Sequence, residues 1–273
     1  MSAIDEVFFN CSHEGRAAFI PFLMAGDPDL GATALYLEAL AAGGADIIEL
    51  GVPFSDPIAD GPVNQRAAAR ALESGTKLSG ILQLIARQRD RLRVPIVLFT
   101  YFNPVHARGI ERFAEQAAAS GVDGVLCVDL PPEEGGRELI PALREQGVDT
   151  IFLLAPTSTR ERVTKVAEAS TGFVYYVSRT GVTGERAALP GELLRDVKRL
   201  RKRIDQPLAV GFGVSTPQQV AALGEIADGV VVGSTLVKLV EERGGDSELP
   251  VLLEGRVREL MAPLRQRSER RRA

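Results

Sequence analysis

Residues 46–62 read DIIELGVPFSDPIADGP, and they join a short apolar run to a loop rich in proline and aspartate. The apolar run has the length of a buried strand, yet it carries a carboxylate, Glu49, near its end. The loop then adds two more acids, Asp56 and Asp60. A buried strand that leads into a polar loop is typical of parallel sheets, in which functional residues gather at the carboxyl ends of the strands.

Further short apolar runs of the same kind occur along the whole chain. Including the one above, the runs are AFIPFLM (18–24), DIIEL (46–50), PIVLFT (95–100), GVLCV (124–128), TIFLL (150–154), FVYYV (173–177), PLAVGF (207–212) and GVVVG (229–233). Each is too short and too evenly apolar for an amphipathic helix, whereas the stretches between them have helical spacing. The pattern predicts eight parallel strands that helices cover on the outside.

A closed (β/α)8 TIM barrel fits both the number of these units and the length of 273 residues. An open doubly wound sheet is the alternative, but the loop after the first strand, GDPDLG, lacks the glycine pattern of a dinucleotide-binding turn. No Pro- or Ser-rich linker divides the chain, so we expect one domain over residues 1–273. We also expect an extra N-terminal helix, added helices near the second and eighth strands, and a frayed basic tail at residues 266–273.

The composition is that of an ordinary globular protein. It is 45% hydrophobic and 25% charged, and the net charge of −4 argues against nucleic acid or an anionic membrane as a partner. No run of about 18 apolar residues predicts a membrane span, and no signal peptide is visible, so we expect a cytoplasmic protein. Cys11 and Cys127 are too few for a disulfide framework, and neither they nor His13 and His106 have the spacing of a metal site.

Glu49 is the leading candidate for catalysis. Alternation along the strand places Ile47 and Glu49 on the same face. If Ile48 and Leu50 face the helices, Glu49 points into the barrel near its mouth. A carboxyl group buried there is expected to have a pKa near ~6, by analogy with catalytic glutamates in apolar pockets, and can donate and accept a proton. The alternatives are a structural ion pair with Lys or Arg, or a shifted strand that exposes the acid.

Asp56 and Asp60 are each, taken alone, more typical of turn or N-cap residues than of catalytic ones. Either one could act with Glu49 as a second carboxylate beside the barrel mouth. The spacing permits this arrangement and does not choose between the two aspartates.

Glycine-rich turns follow the last three strands, at SRTGVTGER (178–186), GFGVSTP (211–217) and VVGSTLV (231–237). Glycine lets backbone N–H groups approach a ligand, and Ser234 can begin a short helix whose N-terminus attracts an anion. Because the loops after strands seven and eight of such barrels commonly hold a phosphate, we expect a phosphate site there. Ordinary tight turns are the alternative. Residues 178–189 have the composition of a mobile lid.

Several motifs match one known family in their order along the chain. They are ELGVPFSDPIADGP (49–62), FLMAGDP (22–28), YFNPVHARGI (101–110), DLPPEE (129–134) and the three glycine-rich turns. Together they resemble the α-subunit family of tryptophan synthase. The resemblance covers essentially the whole barrel and excludes the basic tail.

The resemblance implies a retro-aldol cleavage of indole-3-glycerol phosphate to indole and glyceraldehyde 3-phosphate, with no metal and no cofactor in this chain. It implies that Glu49 protonates C3 of the indole ring and then accepts the proton of the glycerol hydroxyl. Asp60 would accept a hydrogen bond from the indole N–H. The residues implied to bind the rest of the substrate are Phe22, Thr100, Tyr175, Thr183, Phe212 and Val232. Those implied to bind its phosphate are Gly184, Gly213, Gly233 and Ser234.

The resemblance also implies a partner, the pyridoxal-phosphate-dependent β subunit, in an α2β2 heterotetramer in which indole passes to that subunit. The residues implied to face it are Pro53, Asp56, Asn103, Pro104 and Asp129. Two positions depart from the family: Ala68 stands where a polar residue is common, and Thr100 stands where a larger apolar residue is common. A lyase that acts without a β subunit, a phosphosugar isomerase, and a barrel that binds a phosphorylated ligand without catalysis are the alternatives.

Overall fold

Eight parallel strands form the centre of the protein. In the computed structural model, which describes residues 1–177, 191–211 and 213–272, these strands close into a barrel in chain order. They are β1 (Ala18–Met24), β2 (Ile48–Gly51), β3 (Ile96–Thr100), β4 (Gly124–Cys127), β5 (Asp149–Leu154), β6 (Val174–Val177), β7 (Leu208–Gly211) and β8 (Gly229–Val232). The last strand pairs with the first, from Ala18 beside Gly229 to Pro21 beside Val232. The predicted (β/α)8 barrel is confirmed.

Helices cover the barrel on the outside. They are α1 (Ala3–His13), α2 (Leu30–Gly43), α3 (Pro62–Glu73), α4 (Leu78–Gln88), α5 (Phe102–Arg108), α6 (Ile110–Ala119), α7 (Pro132–Gly135), α8 (Leu139–Glu145), α9 (Arg160–Ala169), α10 (Gly191–Leu200), α11 (Pro217–Gly224), α12 (Ser234–Arg243) and α13 (Leu249–Arg272). The extra N-terminal helix and the added helices after β2 and β8 are confirmed. Among the described residues, no helix combines the length and the apolar composition that crossing a membrane requires.

Apolar side chains form two layers, one inside the barrel and one between the barrel and the helices. The inner layer includes Ile47 together with Val97, and the outer layer includes Ile48 and Leu50. This division confirms the predicted alternation along β2. Glu49 therefore points into the barrel.

Helix α1 closes the floor of the barrel. Its side chains Ile4, Phe8 and Cys11 are buried and belong to the inner apolar layer. Ile4 lies against Gly124 and Phe8 against Gly229, the first residues of β4 and β8. A helix that fills the amino ends of the strands leaves the carboxyl ends as the open end of the barrel.

The C-terminal helix includes most of the basic segment. Helix α13 continues to Arg272, and fraying from residue 266 stays a prediction. Ser268 is buried, and the Arg267 guanidinium donates to the carbonyl oxygen of Gly224 at 2.6 Å. Because Gly224 ends α11, the first part of the basic segment is held against a neighbouring helix.

Candidate active site

Glu49 lies inside the barrel, where β2 pairs with β1 through Phe22 and with β3 through Val97. It is 1% exposed, and its Oε1 has no hydrogen-bond partner within the described ranges. Burial raises the pKa of this carboxyl group from 4.5 to about 8, above the predicted value, because nothing in its surroundings offsets the burial. Glu49 is therefore protonated at neutral pH and can act as an acid, which a structural ion pair would have prevented.

Tyr175 stands on the inner face of β6 and is also buried. Burial first, and then the charge of Glu49, raise the pKa of its phenol well above the ordinary value of 10. The phenol fills the space beside Gly211 on β7, where any side chain would collide with its hydroxyl oxygen. Tyr175 is thus placed close to Glu49 across the barrel.

Two aromatic rings form an apolar wall beside Glu49. Phe22 and Phe99 meet edge to face, with ring centroids 5.4 Å apart and an interplanar angle of 75°. A Cβ atom at Gly51 would lie 2.7 Å from Phe22 Cζ, so the glycine leaves room for the ring. An apolar wall of this kind suits a flat aromatic ligand.

Two of the predicted substrate-binding residues lie on the outer face of their strands. Thr100 is fully buried, and its hydroxyl donates to the carbonyl oxygen of Tyr101 at 3.1 Å. Val232 belongs to the outer apolar layer. Because successive side chains of a strand alternate between faces, the inward positions are one residue earlier, at Phe99 and Val231. The roles of Thr100 and Val232 in substrate binding stay predictions.

Asp60 lies in the loop that connects β2 to α3. The Tyr101 hydroxyl donates to Asp60 Oδ2 at 3.0 Å and accepts from the Ala59 N–H at 3.0 Å. Burial raises the pKa of Asp60, while hydrogen bonds from Tyr101 and Asn64 lower it. Tyr101 is itself 2% exposed, so it is a fixed donor. The sequence analysis missed this residue, although its position directly after β3 marks the same open end of the barrel.

The candidate phosphate site lies at the ends of β7 and β8. Gly211 and Val231 are paired across these strands, and Gly213 and Gly233 each follow two residues later. Ser234 is the first residue of α12, so its helix begins with unpaired backbone N–H groups. Gly213 has a φ of +59°, which favours glycine. The other predicted residues of this region, Thr183, Gly184 and Phe212, lie outside the described residues.

The residues predicted to face a partner are only partly on the surface. Asp56, Asn103 and Asp129 are exposed, Pro104 is half-buried and Pro53 is buried. Pro53 therefore packs within its loop, and its contact with a partner stays a prediction. An exposed apolar residue that the sequence analysis missed, Ile58, stands in the same loop with 87% of its surface accessible.

Cys11 and His13 lie on α1 at the floor of the barrel, whereas Cys127 ends β4 beside Thr100. Cys11 and Cys127 are both buried free thiols. His13 lies on α1 at the floor of the barrel, where its Nδ1 is 3.0 Å from the carbonyl oxygen of Phe9. Within the described residues, no group of three or more His, Cys, Asp or Glu side chains could hold a metal ion.

Comparisons with known proteins agree with this fold and identify the family. A family profile described as "Tryptophan synthase alpha chain" matches residues 8–260. The chain is 53% identical to the tryptophan synthase alpha chain of Geobacter sulfurreducens over 241 residues, which is 88% of this chain and 91% of that protein.

Solved structures give the same result. The structure of tryptophan synthase subunit alpha from Legionella pneumophila has a TM-score of 0.89 and 33% identity, with 99% of both chains covered. A chain of the tryptophan synthase complex from Pyrococcus furiosus has a TM-score of 0.83 and 41% identity, covering 90% of this chain and 98% of that chain. The chain belongs to the tryptophan synthase alpha chain family.

Proposed function

We propose that this protein cleaves indole-3-glycerol phosphate to indole and glyceraldehyde 3-phosphate. Membership of the family supports the reaction, and the position and protonation of Glu49 carry the assignment. This carboxyl group is buried at the open end of the barrel, protonated at neutral pH, and flanked by the aromatic wall of Phe22 and Phe99. Phosphosugar isomerisation and ligand binding without catalysis are not favoured, because the chain belongs to the tryptophan synthase alpha chain family.

Glu49 serves as both acid and base in this proposal. Its protonated carboxyl gives a proton to C3 of the indole ring, which makes the ring a cationic indolenine. The resulting carboxylate then takes the proton of the glycerol hydroxyl. As that O–H bond breaks, the carbon–carbon bond to C3 breaks too, and its electron pair returns to the ring. The carboxyl group ends in the protonation state in which it began.

Asp60 stabilises the positive charge that develops on the indole nitrogen. Its carboxylate accepts a hydrogen bond from the indole N–H, and the bond strengthens when the ring becomes cationic. Tyr101 and Asn64 both donate hydrogen bonds to this carboxylate and hold it in place beside the substrate. Tyr175 stands near Glu49 and orients the substrate beside it.

The phosphate of the substrate binds at the opposite side of the open end. The start of α12 offers the N–H groups of Gly233 and Ser234, and the Ser234 hydroxyl is a further donor. Gly213 adds a backbone donor from the neighbouring strand end. In this proposal Gly184 also binds the phosphate, and Thr183 and Phe212 contact the rest of the substrate. No metal or cofactor takes part within this chain.

The decisive experiment measures steady-state release of indole from indole-3-glycerol phosphate by the wild-type protein and by Glu49→Gln. Glutamine keeps the size of the side chain but has no acidic proton to transfer. We therefore expect kcat to fall by about 10²–10⁴-fold, the usual contribution of a general acid–base group. Binding of glycerol 3-phosphate serves as the control that the site is still formed. Near-normal turnover by the variant would contradict the role of Glu49.

We further propose that the protein assembles with a tryptophan synthase β subunit, which carries the pyridoxal phosphate and receives the indole. The similarity to a chain of the Pyrococcus furiosus complex supports a partner, and the exposed residues Asp56, Asn103 and Asp129 surround the open end of the barrel. Size-exclusion chromatography with a purified β subunit is expected to give a complex of two α and two β chains. Failure to form a complex, combined with full activity alone, would favour a lyase that works without a partner.

A further inference from the structure

Four charged side chains form a connected network in the helical layer, outside the site described above. Arg70 donates to Asp27, through Nε to Oδ1 at 2.8 Å and through Nη2 to Oδ2 at 2.7 Å. Its remaining Nη1 donates to Glu241 Oε1 at 2.9 Å. Arg66 holds the same carboxylate with two bonds, from Nε at 2.6 Å and from Nη2 at 2.8 Å. The two positive and two negative charges balance.

The network joins three segments that carry different parts of the site. Asp27 lies in the loop after β1, Arg66 and Arg70 lie on α3, and Glu241 lies on α12. Helix α3 begins directly after the loop that contains Asp60, and α12 begins at Ser234. The two helices pack against each other. Glu241 therefore connects the helix behind the indole end of the site with the helix at its phosphate end.

Apolar packing alone holds α3 weakly. The buried residues of this helix are all alanines, namely Ala67, Ala68 and Ala71. Alanine buries little apolar surface and does not interlock with a neighbouring helix, so such a contact permits sliding. Arg66 and Arg70 are one helical turn apart and would repel each other without the carboxylate between them. Hydrogen bonds from Arg66 lower the pKa of Glu241 to about 2, so this carboxylate stays charged throughout the neutral range.

We propose that Glu241 is a positioning residue that holds α3 against α12 and thereby sets the separation between Asp60 and the phosphate site at Gly233 and Ser234. The inference rests on the proposed function, because the indole and the phosphate of the substrate define these two ends. It predicts a selective defect. A ligand that occupies both ends at once requires the correct separation, whereas a ligand that occupies one end does not.

The test compares Glu241→Gln with Glu242→Gln. Glutamine is nearly the same size as glutamate but loses the charge that both arginines share. Glu242 is the matched control, because it follows on the same helix and its ion pair with Lys238, at 3.5 Å, involves neither α3 nor the site. Glu241→Ala is a second variant that removes the remaining hydrogen bonds as well.

Calorimetric titration measures the affinity of each variant for three ligands. They are an unreactive indole alkyl phosphate that spans the site, indole alone, and glycerol 3-phosphate alone. Glu241→Gln is expected to weaken binding of the spanning ligand by about tenfold and to lower kcat/KM for cleavage to a similar degree. Both changes are within the range that small misplacements of a reacting group produce. The affinities of Glu241→Gln for the two small ligands stay near the wild-type values, and Glu241→Ala shows the same selectivity more strongly.

Two results would overturn the inference. One is a spanning ligand that binds Glu241→Gln as tightly as it binds Glu242→Gln. The other is an equal loss of affinity for all three ligands together with a lower thermal midpoint, which identifies a purely structural role. Failure of the proposed function is distinct, since the wild-type protein itself would then neither bind the spanning ligand nor release indole.

Discussion

At the scale of single residues, the protonation of Glu49 depends on burial. In the folded protein its pKa is about 8, against an ordinary value of 4.5. Because the folded state binds this proton more tightly than the unfolded state, Glu49 favours folding below pH ~4.5, and this contribution is lost as the pH rises towards about 8. The acid that the reaction requires therefore makes stability depend on pH.

The Glu49→Gln variant tests this dependence, because glutamine does not titrate. Between about pH 5 and pH 7, the free energy of unfolding of the wild-type protein is expected to fall by about 1.4 kcal/mol per pH unit relative to the variant. Urea unfolding followed by circular dichroism at several pH values measures the difference. Parallel pH profiles for the two proteins would mean that Glu49 is ionised in the folded state.

Tyr101 offers a second test at this scale. Phenylalanine at this position removes the donor to Asp60 and leaves the Ala59 N–H without its acceptor. The pKa of Asp60 is expected to rise, because one of the hydrogen bonds that lower it is lost. We expect kcat/KM to fall by about tenfold or more, since a hydrogen bond to a charged group contributes about 1.5–3 kcal/mol.

Tyr176→Phe is the matched control for this substitution. Tyr176 donates to Asp196 at 2.7 Å in the outer layer, so it has the same kind of bond away from the site. When cleavage rates are measured against pH, only the pH profile of Tyr101→Phe is expected to shift from that of the wild-type protein. An equal loss in both would show that Tyr101 contributes to stability alone.

The sequence predicted where the candidate site lies, but it did not predict the orientation of every side chain there. Glu49 was expected inside the barrel on the condition that Ile48 and Leu50 face the helices, and the structure meets that condition. In β3 and β8 the runs are apolar on both faces, so nothing in their residue types distinguishes inward from outward positions. The orientation of Thr100 and Val232 could not be predicted from the sequence for this reason.

At the scale of elements, α1 is the part of the fold with the clearest mechanical role. It begins with a capping box, in which Ser2 and Asp5 exchange hydrogen bonds, and its buried side chains fill the floor of the barrel. Phe8 packs against Phe173 with ring centroids 5.7 Å apart. The adjacent residue Phe9 lies on the other side of the helix.

Phe8→Ala is expected to destabilise the protein by about 3–5 kcal/mol, as is usual for a large buried ring, and to leave the KM for substrate nearly unchanged. Phe8 is 6% exposed, whereas Phe9 is 52% exposed. Phe9→Ala is therefore the matched control, with an expected change within about 0.5 kcal/mol. Chemical unfolding measures both. A comparable loss in the two variants would contradict the assignment of α1 as the floor.

Element boundaries were less predictable than the elements themselves. The segment between β3 and β4 forms two helices because Gly109, with a φ of +88°, interrupts the chain between α5 and α6. The end of α13 was predicted to fray because residues 266–273 are basic. The bond from Arg267 to Gly224 is a tertiary contact, and composition carries no sign of it.

At the scale of the whole molecule, the architecture was predictable because it repeats. Eight apolar runs separated by helical stretches predict eight similar units, each a strand followed by a helix. A correct assignment of one unit therefore supports the assignment of the others. What lies at the two ends of the barrel does not repeat. The floor and the surface around the open end therefore had to come from the structure.

The surface around the open end leads to a prediction about assembly. Ile58 is 87% exposed between the acids of its loop, and an aspartate there would place a charge in the proposed interface. Ile58→Asp is expected to weaken binding of the β subunit by about tenfold or more, as a substitution at an interface hot spot does. Leu35→Asp, at a 54% exposed position on α2, is the control. Surface plasmon resonance with immobilised β subunit compares the two, and equal affinities would place the interface elsewhere.

The helix that seals the floor also has a kinetic consequence. Because Ile4 and Phe8 fill the amino ends of the strands, substrate entry and product release both take place at the open end of the barrel. Under the proposed reaction, the triose phosphate and the indole must both leave through that end before another substrate molecule binds. Each product, while it remains bound, therefore delays the binding of the next substrate molecule.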